Sequence, residues 1–387
     1  LKGDGTARTI TNNGESALFT VPKGVTLVLD EGITLNGNRI RASLVAVKAG
    51  TLRMNSGSTI RNAQDSGVRV ESGIFTMYGG EISGNKAYSS SSGGGVYVSS
   101  GTFTMQGGEI SGNTASYSSS YYSSSSGGGV YVSSGMFTMQ GGKISGNKAE
   151  SESESSSSGG GVYVSGTFTM QGGEISGNTA SSDSGGGVYV AGNGIFTMGR
   201  GEISGNKASS YSSSSGGGVF VADNGIFTMK EGRISGNTAS ASSSGGGVFV
   251  SSSGTFTMQG GEISGNTASS SYYYYSGGGV YVSGTFTMQG GEINGNTASS
   301  YSSGGGVYVS GTFTMQGGEI SGNTASSSSG GGVYVSGTFT KRGGTIDATN
   351  SAQSGRVVYA NGKQRNTAAG PDINLDSTKS GSAGGWE

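Results

Sequence analysis

Short runs of alternating apolar and polar residues recur along the chain, and residues 93–113 contain one complete set of them. Their sequence, GGGVYVSSGTFTMQGGEISGN, holds three such runs: Val96–Val98, Thr102–Met105 and Glu109–Ser111. Alternation with a period of two is typical of β-strands, because successive side chains of a strand point to opposite faces. The pattern therefore predicts three short strands, separated by turns rich in Gly and Ser.

This alternation divides the side chains of the unit between two faces. The face predicted to point inward carries Val96, Val98, Phe103, Met105 and Ile110. The face predicted to point outward carries Tyr97, Thr102, Thr104, Glu109 and Ser111.

The unit repeats at intervals of about thirty residues, which indicates a solenoid or an array. Successive methionines of the FTM triplet lie between 27 residues apart (Met288 to Met315) and 34 residues apart (Met105 to Met139). Each interval combines 18 fixed positions with two variable turns, one of two to four residues and one, after the asparagine, of six to thirteen. Stacked coils of a β-helix accommodate such variation, because an insertion at a corner leaves the strands in register.

The sequence therefore predicts an all-β fold, a single-stranded right-handed parallel β-helix (β-solenoid) of about twelve coils with three short strands each. We expect an extended N-terminal segment at 1–16, the β-helix with Ser/Tyr-rich loops at one corner at 17–360, and an extended C-terminal tail at 361–387.

Stacking turns equivalent positions of successive coils into columns. Phe103, Phe137 and Phe168 are predicted to form an interior aromatic column. Asn113, Asn147 and Asn178 are predicted to form a structural column at a turn, where side-chain amides bond from coil to coil. The outward column begins with Tyr97, Tyr131 and Tyr163, and its rings are either a stacked ladder that stabilises the sheet or an interaction surface.

The motif GGGV followed by I-x-G-N resembles the repeats of right-handed parallel β-helix proteins of microbial surfaces. Among these, the polymorphic outer-membrane proteins and autotransporter passengers carry GGA-[ILV] and F-x-x-N repeats. The resemblance covers residues 17–360; this chain has Gly where those repeats have Ala, and Ile where they have Phe before the asparagine. It implies a location at the cell surface or outside the cell, and we expect any signal peptide to have been removed already.

Composition excludes several classes of function. The net charge of −1, without a Lys/Arg cluster, argues against nucleic acid or an anionic membrane as a partner. No apolar run has the length of a membrane-spanning helix. The chain has no Cys and no His, and so lacks thiolate ligands, the commonest general base and the commonest metal ligand. We expect no cofactor and no metal ion.

Polysaccharide lyases and hydrolases share this architecture, so an enzyme is a third candidate. Acid–base catalysis needs carboxylates in different environments, and hence an irregular cluster. The acidic residues here instead recur once per coil, at Glu81, Glu109, Glu174, Glu202, Glu262, Glu292 and Glu319, with Lys143 and Arg233 among them. This column predicts a solvated charge ladder, and no catalytic residue is assigned.

The variable turn after the asparagine is built mainly from Ser, Ala and Tyr, and every copy emerges at the same corner. It is either a tolerated loop or a hydroxyl-rich fringe that carries glycan, which would be O-linked because the chain has no Asn-x-Ser/Thr sequence. The candidate O-glycosylation sites are Ser90, Ser119, Tyr121, Tyr122, Ser155, Ser182, Tyr211, Ser213, Ser243, Tyr272, Tyr273, Tyr274, Tyr275, Tyr301 and Ser327.

Neither terminal segment shows the helical periodicity of a solenoid cap, and an open solenoid end exposes unpaired strands. We therefore predict an extracellular structural protein that forms a homopolymer by head-to-tail contacts, made by Ile10, Ile373, Leu375 and Trp386. The alternative is a monomeric surface adhesin that binds ligands through the outward aromatic column.

Overall fold

The computed structural model describes residues 1–3, 6–38, 41–88, 92–117, 125–151, 157–181, 183–210, 214–269, 275–299, 302–326, 330–352, 358–360, 363–365 and 373–376. All regular secondary structure in these ranges is β-strand. Accordingly, they contain no helix with the length and apolar character that crossing a lipid bilayer requires. The chain divides into two units: Leu1–Tyr189 with Gly194–Glu202, and Val190–Asn193 with Ile203–Glu387.

A regular coil contains five strands, which we name after a residue that recurs in each. The coil that begins at Val96 has the valine strand Val96–Val98, the phenylalanine strand Thr102–Met105, the isoleucine strand Glu109–Ser111, the alanine strand Thr114–Tyr117 and the glycine strand Ser125–Gly127. Strands of one class pair in parallel with those of the neighbouring coils, so that each class forms its own sheet within a unit.

The strands of the first unit have the following bounds. Its valine strands are Phe19–Val21, Val45–Val47, Val68–Val70, Val96–Val98, Val130–Val132 and Val162–Val164. Its phenylalanine strands are Thr26–Leu29, Thr51–Met54, Ile74–Met77, Thr102–Met105, Met136–Met139, Thr167–Met170 and Ile195–Met198. Its isoleucine strands are Arg8–Thr11, Ile33–Asn36, Thr59–Arg61, Glu81–Ser83, Glu109–Ser111, Lys143–Ser145 and Glu174–Ser176. Its alanine strands are Lys86–Ala87, Thr114–Tyr117, Lys148–Ser151 and Thr179–Ser181, and its glycine strands are Ser92–Gly93, Ser125–Gly127, Ser157–Gly159 and Asp183–Gly185.

The second unit repeats these classes. Its valine strands are Val219–Val221, Val248–Val250, Val280–Val282, Val307–Val309, Val333–Val335 and Val358–Ala360. Its phenylalanine strands are Ile226–Met229, Thr255–Met258, Thr285–Met288, Thr312–Met315 and Thr338–Lys341. Its isoleucine strands are Arg233–Ser235, Glu262–Ser264, Glu292–Asn294, Glu319–Ser321 and Thr345–Ile346. Its alanine strands are Lys207–Ser209, Thr238–Ser240, Thr267–Ser269, Thr297–Ala298, Thr324–Ala325 and Ser351–Ala352, and its glycine strands are Ser214–Gly216, Ser243–Gly245, Tyr275–Gly277 and Ser302–Gly304. The valine strand Val188–Val190 and the isoleucine strand Glu202–Ser204 have residues in both units.

The register places like residues beside like residues. Phe137 pairs with Phe103 in the preceding coil and with Phe168 in the following coil. Their rings stack at 4.7 Å between centroids with only 5° between ring planes. All three rings are at most 1% exposed. The predicted phenylalanine column is thus observed as a buried stack at the spacing of neighbouring β-strands.

The glycine triplet lets neighbouring backbones approach closely where the chain enters each valine strand. A Cβ atom on Gly128 would lie 2.2 Å from the carbonyl oxygen of Gly160 in the next coil. Gly108 makes the turn before an isoleucine strand at φ 83°, in the left-handed region that favours glycine. A larger residue at either position requires a backbone shift.

The parallel β-helix is confirmed, but a regular coil has five strands rather than the predicted three. The two additional strands lie in the segment that was predicted to be one variable turn. The segment begins with the alanine strand and ends with the glycine strand, and we call these two strands its arms. Each arm pairs with the equivalent arm of the next coil: Ala115 lies beside Ala149, and Ser126 lies beside Ser158. All four side chains are at most 3% exposed. Because these arms repeat, they form ladders of their own, and the variable length is confined to the residues between them.

The terminal segments also contain strands. Arg8–Thr11, within the segment expected to be extended, pairs in parallel with Ile33–Asn36, so that Ile10 lies beside Leu35. In the tail, Lys363–Arg365 pairs antiparallel with Val358–Ala360. Ile373–Asp376 pairs antiparallel with Thr338–Lys341. These are the antiparallel pairings among the described strands.

The first prediction concerns the phenylalanine stack. Phe137→Ala should lower the free energy of unfolding by about 3–5 kcal/mol, because it opens a cavity between two stacked rings that have little room to collapse. Thr138→Ala, on the outward face of the same strand, should change it by less than about 0.5 kcal/mol. Chemical denaturation followed by circular dichroism measures both, and equal losses for the two variants would show that the assigned faces are wrong.

Candidate functional site

The outward face of the isoleucine strands in the first unit carries a charge ladder. Lys143 lies in register between Glu109 and Glu174. Its Nζ is 3.2 Å from Oε1 of Glu174, and Ser145 Oγ donates a hydrogen bond to Glu109 Oε1 at 2.8 Å. The hydrogen bond from the Ser176 hydroxyl, and then Lys143, lower the pKa of Glu174 below its usual range. The cation therefore relieves repulsion between glutamates in neighbouring coils.

The second unit has the same ladder with arginine as its cation. Arg233 Nη2 lies 3.6 Å from Glu262 Oε1 and donates a hydrogen bond to Ser264 Oγ at 3.2 Å. Glu262, Glu292 and Glu319 follow one another in register. Among the described residues, no group of three or more His, Cys, Asp or Glu side chains is arranged to hold a metal ion. These carboxylates occupy equivalent positions and do not form a differentiated acid–base pair.

The asparagine column is a hydrogen-bonded ladder at the end of each isoleucine strand. Oδ1 of Asn147 accepts a bond from Asn113 Nδ2 at 2.9 Å and another from the Asn113 backbone N–H at 3.0 Å. Asn113 Nδ2 also donates to the carbonyl of Ile82 in the preceding coil at 2.9 Å. Asn113, Asn147 and Asn178 are at most 1% exposed. Each amide therefore satisfies buried backbone and side-chain groups across three coils, which is a structural role.

The ladder of the second unit includes a residue that sequence reasoning missed. Asn323 Nδ2 donates to Asn350 Oδ1 at 2.9 Å, and Asn350 is 3% exposed. Asn350 follows its isoleucine, Ile346, by four positions, whereas Asn323 follows Ile320 by three. The turn between Ile346 and Asn350 contains Asp347, whose Oδ1 accepts a hydrogen bond from the Thr349 N–H at 2.7 Å. That bond lowers the pKa of Asp347. The I-x-G-N motif would have found Asn350 only if it allowed one extra residue and also a residue other than Gly before the asparagine, since that position is Thr349.

The aromatic side chains of the valine strands form stacked rows. In the first unit, the Tyr131 and Tyr163 rings stack at 4.7 Å with 2° between planes. Arg69 lies over the Tyr97 ring, with its guanidinium carbon 4.4 Å from the ring centroid. In the second unit, the row includes the stacked pair Phe220 and Phe249, at 4.9 Å.

Most of these rings are buried, which corrects their predicted place on the solvent face, while Tyr97 and Tyr334 are half-buried. Tyr131, Tyr163, Tyr189, Phe220, Phe249, Tyr281 and Tyr308 are at most 6% exposed. The glycine strand that precedes each valine strand lies against it: a Cβ atom on Gly159, for example, would be 2.1 Å from the carbonyl oxygen of Val162. Tyr275, the first residue of a glycine strand, stacks on Tyr308 at 5.2 Å, and burial raises the pKa of Tyr308. A covered row does not offer the aromatic surface that the adhesin alternative requires.

Two of the candidate glycosylation sites lie among the described residues. Tyr275 is 43% exposed. Ser243 is half-buried within the glycine strand Ser243–Gly245. The remaining candidates lie outside the described residues: Ser90, Ser119, Tyr121, Tyr122, Ser155, Ser182, Tyr211, Ser213, Tyr272, Tyr273, Tyr274, Tyr301 and Ser327. Tyr275 is thus the one described candidate whose side chain is well exposed.

The predicted subunit contacts do not come together into one site. Ile10 is half-buried in the strand Arg8–Thr11. Ile373 and Leu375 lie in a strand paired with the chain's own Thr338–Lys341. Trp386 lies outside the described residues. A contact of any of them with a second copy stays a prediction.

Comparison with known proteins adds one finding. Residues 160–351 match the family model described as the right handed beta helix region. No curated protein and no solved structure matches the chain significantly. The matched range contains five coils with the full five-strand pattern, which begin at Val162, Val188, Val219, Val248 and Val280, and coils with the same pattern precede it, including the one that begins at Val96.

The second prediction concerns the asparagine ladder. Asn266→Ala removes the acceptor for the backbone N–H and Nδ2 of Asn237, and also removes the donors to Asn296 Oδ1 and the Ile234 carbonyl. Each buried group left unsatisfied costs about 1–3 kcal/mol, so we expect the free energy of unfolding to fall by at least about 3 kcal/mol.

The matched control is Asn294→Ser, which restores the usual residue at an outward position of the neighbouring isoleucine strand. Its side chain donates only to exposed Glu292, at 3.2 Å. We expect a change below about 0.5 kcal/mol in the same denaturation experiment. A comparable loss in both variants would contradict the structural role of the ladder.

Proposed function

Because the chain is a right-handed parallel β-helix repeat protein, we propose that it is a non-enzymatic structural protein of the cell surface or the extracellular space. The observation that carries this proposal is the regularity of its polar columns. The asparagine and the charged column each recur at the same position of successive coils, and their members bond mainly to their counterparts. A residue that recurs in this way serves the repeat.

Catalysis on a polysaccharide would need a departure from that regularity. Two carboxylates acting as acid and base must have environments that separate their pKa values. Glu262, Glu292 and Glu319 occupy equivalent, exposed or half-buried positions on one sheet face. The ladder therefore supports a solubilising and register-keeping role.

The proposal includes an O-glycosylated fringe on the Ser/Tyr-rich loops. Each loop leaves its coil after a buried alanine and returns before a buried glycine, so that both of its ends are fixed at the same corner. Glycan on such loops would hydrate that corner without entering the packed coil. Tyr275, at the start of a glycine strand, is 43% exposed, which supports the access that a modifying enzyme needs.

The third prediction tests the fringe. The intact mass of the protein from its native source should exceed the mass of its own polypeptide, which is 38.2 kDa for these 387 residues, by multiples of sugar residues. Alkaline β-elimination should release sugars from Ser and Thr, while peptide mapping should locate those on Tyr, including Tyr275. A native mass equal to that of the bare chain would contradict glycosylation and leave the loops as simple insertions.

The proposal also includes end-to-end assembly into a filament. Arg8–Thr11 and Ile373–Asp376 are each the last strand of their sheet. Each has a strand partner on one side only among the described residues. Ile373–Asp376 pairs with one edge of Thr338–Lys341, and its own opposite edge has no strand partner among the described residues. An unpaired strand edge is a template for pairing with another chain, and a contact between two different surfaces propagates.

The fourth prediction tests the connector. Removing residues 361–387 should convert filaments into single subunits that keep their β-sheet circular dichroism, because the edge of Ile373–Asp376 is lost. Removing only 377–387 keeps that strand, and filaments should persist if the strand is the main contact. Electron microscopy and analytical ultracentrifugation distinguish the outcomes. Unchanged filaments after the larger deletion, or a full-length chain that remains monomeric at high concentration, would overturn the assembly proposal.

A further inference from the structure

The outward face of the phenylalanine strands in the second unit is a regular array of threonines. Each strand places two side chains outward, one on either side of its buried phenylalanine. On four successive strands both of these are threonine: Thr255 and Thr257, Thr285 and Thr287, Thr312 and Thr314, and Thr338 and Thr340. The register places them in two straight columns. We call these eight residues the threonine face.

The threonine face has two defined repeats. Across the strands, the phenylalanine rings directly behind it follow one another at 4.7, 4.6 and 4.9 Å from Phe256 to Phe339. Along a strand, the two threonines are two residues apart, or about 6.6 Å at about 3.3 Å per residue. A rectangular lattice of hydroxyl and methyl groups is the result.

The rings behind the first three strands of the threonine face are nearly parallel, which indicates little twist between those strands. Successive rings deviate from parallel by 5° between Phe256 and Phe286 and 6° between Phe286 and Phe313, and the deviation rises to 18° between Phe313 and Phe339, at the last strand. Neighbouring strands of an ordinary sheet rotate by about 20–25°, and flat sheets depend on stacked side-chain ladders. Here the buried phenylalanine stack is that ladder. The threonines lie on the same strands and therefore have the same regular spacing.

The outer face of the isoleucine strands in the same coils is charged, so an uncharged row of threonines is not a general property of this surface. The isoleucine strands of the second unit place Arg233, Glu262, Glu292 and Glu319 outward. The threonine face carries no charge. Its side chains are half-buried or exposed. None of its eight hydroxyls has a hydrogen-bond partner among the described residues, so they are available to a ligand.

We propose that the threonine face binds the surface of ice crystals. A flat, rigid, uncharged lattice suits a ligand that is itself periodic, because many weak contacts form at once only when the two spacings agree. Ice presents oxygen atoms at similar repeats in both directions on its prism faces. The hydroxyls would replace lattice water and the methyl groups would order the water between them. Rigidity lowers the entropic cost, since no side chain or loop has to be ordered on binding.

The fifth prediction tests this inference, which is independent of filament assembly and glycosylation. The unmodified recombinant chain should slow ice recrystallisation and, when fluorescently labelled, should be incorporated into a growing ice crystal on specific planes. Thr314→Tyr, in the interior of the array, should abolish most of both activities because the larger ring prevents close contact. The matched control is Ser321→Tyr, which adds the same ring to the outward face of the isoleucine strand in the same coil. It should retain both activities.

Circular dichroism must show the same β-sheet signal in Thr314→Tyr and in Ser321→Tyr. A further variant, Thr314→Val, removes the hydroxyl at almost constant side-chain volume. A partial loss in Thr314→Val supports the role of the hydroxyl lattice. The inference is overturned if the parent chain leaves recrystallisation unchanged, if both tyrosine variants behave alike, or if the chain ignores ice and sediments with crystalline cellulose or chitin.

Discussion

Every feature of this protein depends on a strand-to-strand spacing of about 4.7 Å maintained in register from coil to coil within each unit. Two ladders hold that register. The phenylalanine stack fills the interior, and the asparagine ladder joins each coil to the coils before and after it through buried amide bonds. A slip by one residue would place Thr138 in the core and leave several amide groups without partners. Variation in length is therefore confined to segments outside both ladders.

The same constraint determines what the outer faces can be. Equivalent positions of successive coils stack on one another. Each outward position of the repeat therefore forms a row of similar groups and not a cluster of different ones. The isoleucine strands give a row of carboxylates that needs Lys143 or Arg233 within it to relieve repulsion. The phenylalanine strands give rows of threonine. Such faces suit extended or periodic partners better than a small substrate held by converging groups.

The sequence alone predicts the parts of the fold that depend on local alternation and on the period. Phe137 and Asn147 are placed correctly because each follows from a fixed position in the repeat. The burial of Tyr163 could not be predicted in this way, because the glycine strand that lies against its strand follows a segment of variable sequence and length. Ala149 and Ser158 look like loop residues for the same reason, and their pairing appears only when successive loops are superimposed in space. Asn350 was missed because its turn is one residue longer and has Thr349 where the motif has Gly.

Departures from the repeat are concentrated in the coils that adjoin the strand Ile373–Asp376. Lys341 occupies the buried position that methionine holds in the preceding coils, at 3% exposure. The segment 347–350 replaces the usual turn. The next two strands still pair in parallel with the preceding coil, and the two strands after them, Lys363–Arg365 and Ile373–Asp376, pair antiparallel. In a stacked repeat each coil is stabilised by its neighbours, so a coil with a neighbour on one side only must be completed differently. These changes lie in the last coils before the strand Ile373–Asp376, whose outer edge is unpaired among the described residues. Selection for a regular interior leaves the terminal coils as the places where an assembly contact can evolve without disturbing the ladders.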